Sequence, residues 1–180
     1  GQGYAFGTGT DSTATAGTGP NDDRTGEGNY VYAEANGAAN QSVATITSPL
    51  IDLSALSTPE LNFWYHMAGA QVNELKTEVW SQSSGWVNVG SINGPQQASS
   101  ADTFLLQTYT LAQFADDTVL VRFSASRGFG TANAADIAID DFGFEEAPTC
   151  PDPSLLAVYS RTTSSITLSW QAVNAASWDI

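Results

Sequence analysis

Residues 61–67 read Leu-Asn-Phe-Trp-Tyr-His-Met, in which apolar side chains recur with a period of two. Successive side chains of a β-strand point to opposite faces, so this run gathers one apolar set: Leu61, Phe63, Tyr65 and Met67. The opposite face carries Asn62, Trp64 and His66. Because aromatic side chains occur on both faces, we predict a central strand of a sheet, covered on both sides.

Similar period-two runs recur at short intervals along the chain. They cover residues 30–32, 43–46, 75–80, 86–89, 104–111, 119–123 and 137–144. Turn-forming Gly, Pro, Asp and Asn separate these runs, and helical periodicity is hard to find. Strands at this spacing, without crossover helices, predict an all-β protein, an antiparallel β-sandwich of the jelly-roll kind. We expect the Gly- and Thr-rich residues 1–19 to form a surface loop.

The charge balance narrows the range of functions. The chain has 180 residues, with 5 Lys and Arg against 19 Asp and Glu, and a formal net charge of -14. The basic residues are too few and too scattered to neutralise phosphates, which argues against nucleic-acid binding. An anionic membrane surface repels such a chain. No apolar run approaches the ~20 residues that span a bilayer, so we expect no membrane insertion.

The composition changes after Glu146, where a Pro-rich stretch surrounds the single cysteine, Cys150. We predict a first domain over residues 1–147 and, over 148–180, a linker and the N-terminal part of a second β-module. Two further strands are predicted at 155–158 and 165–170. About thirty residues cannot bury a sandwich core, so we expect this module to continue beyond the sequence. Cys150 is interpreted as a linker residue or a half-cystine whose partner lies beyond Ile180.

Three segments share a pattern with a known family. They are 19–35 (Gly-Pro-Asn-Asp-Asp-Arg-Thr-Gly-Glu-Gly-Asn-Tyr-Val-Tyr-Ala-Glu-Ala), 63–69 (Phe-Trp-Tyr-His-Met-Ala-Gly) and 136–142 (Asp-Ile-Ala-Ile-Asp-Asp-Phe). Together and in this order they resemble the MAM domain family of extracellular interaction modules, over about residues 4–146. The resemblance implies a jelly-roll-like sandwich whose function is non-catalytic recognition or adhesion, within a larger secreted or cell-surface protein.

The sequence departs from the family pattern at several points. It lacks the cysteines of animal members, which resembles versions found in secreted bacterial proteins, and Arg24 stands where the family has His. The family's opening strand, with its Phe-Glu pair and one candidate metal ligand, is expected upstream of Gly1. Residues 151–178 are similar to the start of a fibronectin type III domain, which implies a partial immunoglobulin-like sandwich after the linker.

Acidic residues cluster in a Gly-rich loop and at predicted strand ends. Asp22 and Asp23 lie in the loop, Glu34 ends one strand, and Asp140 and Asp141 end another. Ca²⁺ binds about six to eight oxygens of carboxylates and loop carbonyls. We predict a structural Ca²⁺ held by Asp23 and Asp140, then by Glu34 and Asp141, and the resemblance to MAM domains also implies a cation there. The alternative is that these carboxylates cap turns by accepting backbone N–H bonds.

The sequence contains few candidate catalytic residues. His66 is the only histidine, so any Ser-His-Asp or Cys-His arrangement depends on it, and it lies within a strand between aromatic residues. No Gly-x-Ser-x-Gly elbow occurs in the chain. One His and one distant Cys do not fill a zinc shell. We therefore interpret His66 as structural and expect a module that is not an enzyme, though it could serve one as an accessory.

The tryptophans indicate an alternative function. In residues 75–80 apolar side chains alternate with Lys76, Glu78 and Trp80, which places Trp80 on the polar face of its strand. Exposed Trp rings are flat apolar surfaces on which sugars stack, so Trp80 is the candidate ligand-binding residue of a carbohydrate-binding module of a polysaccharide-active enzyme. Otherwise Trp80 covers a sheet edge, and Trp86 is expected in the core. The partner is thus another protein, a second copy of the chain, or a polysaccharide.

Overall fold

The computed structural model describes residues 3–130, 133–148 and 154–171. The chain divides into two compact units, Gly1–Glu146 and Ala147–Ile180. Cys150 lies outside the described residues, as does Trp178. Among the described residues, no helix has the length and apolar character needed to cross a membrane.

Ten β-strands make up the described part of the first unit. They are β1 (Ala5–Gly9), β2 (Tyr30–Glu34), β3 (Val43–Thr47), β4 (Ile51–Asp52), β5 (Pro59–His66), β6 (Val72–Ser81), β7 (Gly85–Asn93), β8 (Leu105–Thr110), β9 (Thr118–Arg127) and β10 (Ile137–Glu146). A single 3₁₀ turn, Ala112–Phe114, interrupts them in this described region. The eight strands predicted from the period-two runs are confirmed, with ends that differ by a few residues.

The strands form two antiparallel sheets. The first sheet has the order β1-β2-β10-β5-β8, and the second has the order β3-β9-β6-β7, with β4 also paired to β9. The run at 61–67 lies in β5, between β10 and β8, which confirms its central position. Spatial neighbours are often distant in sequence, as expected for a jelly-roll-like sandwich, and the predicted fold class is confirmed.

The main core lies between the two sheets. The predicted inward face of β5 is buried, and Leu61, Phe63 and Met67 are fully enclosed. The Phe63 ring meets Phe123 of β9 edge to face, with 4.8 Å between centroids. Each such side chain contributes about 1.5–3 kcal/mol of hydrophobic free energy on burial, so these residues bind the sheets together.

A second, smaller apolar cluster covers the outer face of the first sheet. Tyr30, Phe104 and Ala138 are buried there, and Trp64 packs against them. Residues 10–29 cross this face, anchored by the Tyr30 hydroxyl, which donates to the Asp11 carbonyl oxygen. The first sheet is therefore covered on both sides, and its outer cover is made of loops.

One region was predicted as a surface loop and is partly a strand. Residues 1–19 were expected to form a loop, whereas Ala5–Gly9 pairs along its whole length with β2. Gly7 and Gly9 have no side chains, so this edge strand shows little period-two pattern in the sequence. Its hydrogen bonds, rather than its side chains, define it.

The described part of the second unit is an antiparallel strand pair, β11 (Ser154–Arg161) and β12 (Ile166–Gln171). Both strands predicted in this region are confirmed. The fibronectin type III interpretation of residues 148–180 stays a prediction, because it depends on strands that the described residues do not include.

Gly69 is a position where the fold requires glycine. Its φ is +137°, and an added Cβ would overlap the Ala134 carbonyl oxygen. We predict that Gly69→Ala lowers the free energy of unfolding by about 2–4 kcal/mol, through backbone strain and steric clash. Thermal unfolding followed by circular dichroism measures the loss. Gly7→Ala is the control, because a Cβ there meets nothing within 4 Å, and equal melting temperatures for the two variants would contradict the prediction.

Candidate functional site

Buried hydrogen bonds hold the segment from Thr18 to Gly28 against the outer face of the first sheet. The Thr18 hydroxyl donates to the Ala68 carbonyl oxygen at 2.8 Å and accepts from the Asp136 amide at 2.9 Å. The amide of Gly19 donates to the same Ala68 oxygen at 3.2 Å. These contacts place the acidic residues that follow in the loop directly beside β10.

Asp23 is a turn-capping carboxylate. Its Oδ2 accepts hydrogen bonds from the Thr25 hydroxyl at 2.6 Å and the Thr25 amide at 3.0 Å. The Thr25 hydroxyl bond holds the pKa of Asp23 well below its usual range, so the carboxylate is ionised at neutral pH. Its Oδ1 is buried and has no hydrogen-bond partner within the described structure.

Arg24 joins the loop to β10. Its amide donates to Asp140 Oδ2 at 2.9 Å, and its guanidinium pairs with Asp141. The guanidinium also lies over the Trp64 ring, 4.9 Å from the centroid. A β-bulge follows Asp140, and Asp141 there has a φ of +44°, which turns its side chain out of the regular alternation.

A second carboxylate pair lies at the other end of β2 and β10. Ile137 pairs with Ala33, so Asp136 and Glu34 stand opposite each other one residue further along. Asp136 Oδ1 accepts from the Ala35 amide, and Glu34 Oε1 accepts from the Asn36 amide, both at 2.8 Å. The remaining oxygens, Asp136 Oδ2 and Glu34 Oε2, are buried without a hydrogen-bond partner among the described residues.

Burial raises the pKa of Asp136 to about 6, and the nearby Glu34 carboxylate adds to the rise. Desolvation and a neighbouring like charge both disfavour the ionised form. This part of the first sheet therefore holds two acids that compete for one proton or attract one cation. The Asp136 side chain is fully buried, so solvent does not relieve the charge.

The four predicted calcium ligands do not come together as one group. Asp140 and Asp141 both contact Arg24, next to Asp23 along the chain, whereas Glu34 lies at the opposite end of the strand pair. Four residues of strand separate the two ends, or about 13 Å. Within the described residues, no group of three or more His, Cys, Asp or Glu side chains is placed to hold a metal ion.

Sequence reasoning missed Asp136 as a site residue. It precedes an apolar strand, so it looked like part of the strand pattern rather than a buried acid. The signal that could have found it is its register, because Asp136 stands one residue before the apolar run, opposite the predicted ligand Glu34.

A cavity of about 470 Å³ opens beside Arg24 and Trp64. The loop at 20–24 forms one wall, and residues 100–104 form another. His66 lies under this region, fully buried, with its ring 5.5 Å from that of Phe104. Burial lowers the pKa of His66, which keeps the imidazole neutral and fits the structural role expected for it.

The outer face of the second sheet carries two tryptophans, Trp80 and Trp86. Trp80 is half-buried on this face, as predicted, and stands directly opposite Trp86 on β7. The prediction that Trp86 belongs to the core is wrong, because its side chain is 38% exposed. A register shift between Thr77 and Glu78 breaks the alternation along this strand pair. The Arg122 guanidinium lies 3.9 Å from the centroid of the Trp86 ring and binds Glu78 at 2.9 Å.

Asp136 makes folding stability depend on pH. We predict that, in EDTA, the free energy of unfolding of the wild-type chain falls by about 3 kcal/mol relative to that of Asp136→Asn as the pH rises from about 4 to about 6. In this window the folded chain holds the Asp136 proton and the unfolded chain has released it, so rising pH favours unfolding. Urea unfolding at a series of pH values measures the difference. A difference that stays constant with pH would contradict the prediction.

Comparison with known proteins gives one family. The family model described as "MAM domain, meprin/A5/mu" matches residues 8–151. The chain is 42% identical to neuropilin-1 of Gallus gallus over 65 residues, which is 36% of this chain and 7% of that protein. It is 30% identical to neuropilin-1 of Xenopus laevis over 126 residues, which is 69% of this chain and 13% of that protein. The chain thus spans only a small part of the length of these relatives.

Solved structures with the same fold are more distant in sequence. The K1 cleaved adhesin domain of Lys-gingipain from Porphyromonas gingivalis W83 is similar, with a TM-score of 0.51 and 15% identity, over 81% of this chain and 85% of that one. This likeness concerns the fold alone. The family match, in contrast, extends over most of the sequence and includes the segments at 19–35, 63–69 and 136–142. The chain therefore belongs to the MAM domain family.

Proposed function

We propose that this chain is a non-catalytic recognition or adhesion module of a larger secreted or cell-surface protein. Membership of the MAM domain family supports this proposal, because these are extracellular interaction modules. The observation that carries it is the surface formed by Trp80, Trp86 and Arg122 on the outer face of the second sheet. We propose that the partner is another protein or a second copy of the chain.

The chemistry of this surface favours a protein partner. Trp and Arg are enriched among the residues that dominate protein–protein binding energy. Arg122 is held in place by Glu78 and by the Trp86 ring, so little side-chain freedom is lost when a partner binds. The neighbouring outward residues include polar Lys76 and Asn88, as well as Leu120 opposite Trp80, so an apolar centre has polar residues beside it.

Carbohydrate binding is a second candidate for the same surface. Trp80 lies on the solvent side of its strand, next to Trp86 in register, and two neighbouring indole rings can support sugar rings. Arg122 covers part of the Trp86 ring, so Trp80 is the residue on which this candidate depends. In that case the chain anchors a polysaccharide-active enzyme on its substrate.

We also propose a structural Ca²⁺, at a different position from the one first predicted. The oxygens of Asp140 accept amide hydrogen bonds, and the Arg24 guanidinium brings a positive charge to Asp141, so these carboxylates do not fit a calcium site. Glu34 and Asp136 fit better, because each retains a buried oxygen without a partner in the described structure. A bound cation would neutralise this pair, with carbonyl or water oxygens completing the shell.

Substitution of the tryptophans separates the two candidate functions. We predict that Trp86→Ala weakens adhesion between beads coated with the chain, or binding to its protein partner, by about tenfold or more, because a Trp at a binding centre contributes over 1 kcal/mol. Phe129→Ala, which removes an exposed aromatic ring elsewhere, is the matched control and should have no effect. Bead aggregation and retention on immobilised polysaccharides are the measurements. Retention on a polysaccharide that Trp80→Ala abolishes, without adhesion, would favour the carbohydrate function instead.

Calcium should stabilise the fold through Asp136. We predict that millimolar Ca²⁺ raises the melting temperature of the full chain by several degrees over EDTA, since a ligand at a hundred times its Kd adds about 2.7 kcal/mol. Asp136→Asn should abolish the rise, and Asp141→Asn, the matched control, should retain it. Differential scanning calorimetry measures both. A rise that Asp136→Asn retains would disprove this site.

A further inference from the structure

We propose that the cavity beside Trp64 receives a basic side chain, Lys or Arg, from a partner protein. This inference rests on the proposed recognition function and concerns a surface other than that of Trp80 and Trp86. The cavity has a volume of about 470 Å³, which is ample for a guanidinium or an ammonium group with its aliphatic stem. Its wall combines carboxylates, a tryptophan ring and a serine hydroxyl.

The charges around the cavity select a cation. Asp22, Asp23 and Asp102 line it, and Arg24 is the one basic residue of its described lining. The Arg24 charge is compensated by Asp141, which lies outside the cavity lining. Hydrogen bonds from the Ser99 and Ala98 amides lower the pKa of Asp102, and that of Asp23 is lowered as well, so both are ionised at neutral pH. An anionic ligand would be repelled, whereas a cation is attracted.

The residues that line the cavity carry mainly hydrogen-bond acceptors. Asp23 is only 8% exposed, and its Oδ1 has no hydrogen-bond partner in the described residues. The Ser100 hydroxyl is also buried and without a partner there. The Asp22 and Asp102 carboxylates also line the cavity, and both accept backbone amide hydrogen bonds, so the wall presents mainly acceptors to a ligand. Lys and Arg side chains are donors without any acceptor, so they complement a wall in which acceptors outnumber donors.

The aromatic part of the wall suits the same ligand. Trp64 lines the cavity, and the chain's own Arg24 already lies 4.9 Å from its ring centroid. A cation near an indole ring gains about 0.5–2 kcal/mol, depending on how far both groups are removed from water. The contact between Arg24 and Trp64 is therefore an example, within the chain, of the pairing that a partner's basic side chain would make.

The surroundings of the cavity favour a peptide segment over an isolated cation. A neighbouring hollow of about 550 Å³ shares Pro20, Asn21, Ser100 and Ala101 with it. The remaining lining of this hollow, at residues 12–18 and 98–99, is made of Ser, Thr, Ala and Gly and carries no charge. A segment that places one basic side chain in the cavity can thus lay its small neighbouring residues in the hollow.

Titration with short peptides tests this inference. The probes are N-acetylated, C-amidated Gly-Arg-Gly and Gly-Lys-Gly, with Gly-Gln-Gly as the uncharged control. They are added to the full, ¹⁵N-labelled chain, and the spectra report the Trp64 indole N–H and the Ser100 and Thr103 amides. We expect saturable shifts at these positions for the two basic peptides, weaker at high salt because the attraction is electrostatic.

Charge-removing variants make the test specific. Asp22→Asn removes one cavity charge and keeps an oxygen that can accept a hydrogen bond from the Asp23 amide. The affinity for the two basic peptides should therefore fall about fivefold. Asp52→Asn is the matched control, because Asp52 caps the Ser54 amide in the same way and does not line the cavity. The Asp52→Asn variant should bind the basic peptides with the affinity of the wild type.

Three results would overturn the inference: no shifts at these positions, equal shifts with the glutamine peptide, or shifts with a neutral oligosaccharide in place of the basic peptides. The outcome is separable from that of the proposed function. Bead adhesion that depends on Trp86 but comes with no peptide binding rejects the cavity alone. Peptide binding without any adhesion or partner binding rejects the wider proposal for the Trp86 surface and retains the cavity as a cation receptor.

Discussion

One buried hydroxyl connects three segments on the outer side of the first sheet, around the Glu34 and Asp136 pair and the cavity. Thr18 donates to the carbonyl of Ala68, after β5, and accepts from the amide of Asp136, before β10. The Thr13 hydroxyl in turn donates to the Thr18 carbonyl at 2.8 Å. The covering loop has few apolar side chains to hold it, so its position depends on such buried polar contacts, each of which is costly to break. The carboxylate pair at Glu34 and Asp136 and the wall of the cavity both follow from this placement.

Several of the acidic residues accept hydrogen bonds from nearby backbone amides. Asp102 accepts from the Ala98 and Ser99 amides, and Asp52 accepts from the Ser54 amide, as Asp commonly does in turns. Part of the high negative charge of the chain therefore serves its turns, and the charge does not by itself indicate metal binding. Asp136 differs, because burial raises its pKa and no local turn explains the carboxylate oxygen that it leaves unpaired.

The sequence was sufficient to predict most of the strands, but it was insufficient to predict the candidate site. Period-two patterns predicted the main strands, the inward face of β5 and the outward position of Trp80, because alternation follows directly from strand geometry. The same reasoning missed β1, where glycines remove the pattern. Trp86 was misplaced although it alternates with Val87 and shares the exposed face with Asn88, because its position after a turn glycine suggested the core. The cavity lies beyond this approach, because its walls come from residues 20–24, 64 and 100–104, which only the paths of the loops bring together.

The last strand of the first unit is well placed to bear load. Glu146 ends β10 and accepts hydrogen bonds from the amides of Ser57 and Thr58, so the strand is fastened at the residue where the unit ends. β10 is also the middle strand of five, paired with β2 over residues 137–139 and with β5, around the bulge, from Ala138 to Glu146. Its ladder bonds run across the strand direction, and a pull along the chain from residue 147 would have to shear many of them at once instead of opening them one by one. Tension applied to the chain at residue 147 would therefore meet the mechanical resistance of a whole sheet before the unit opens.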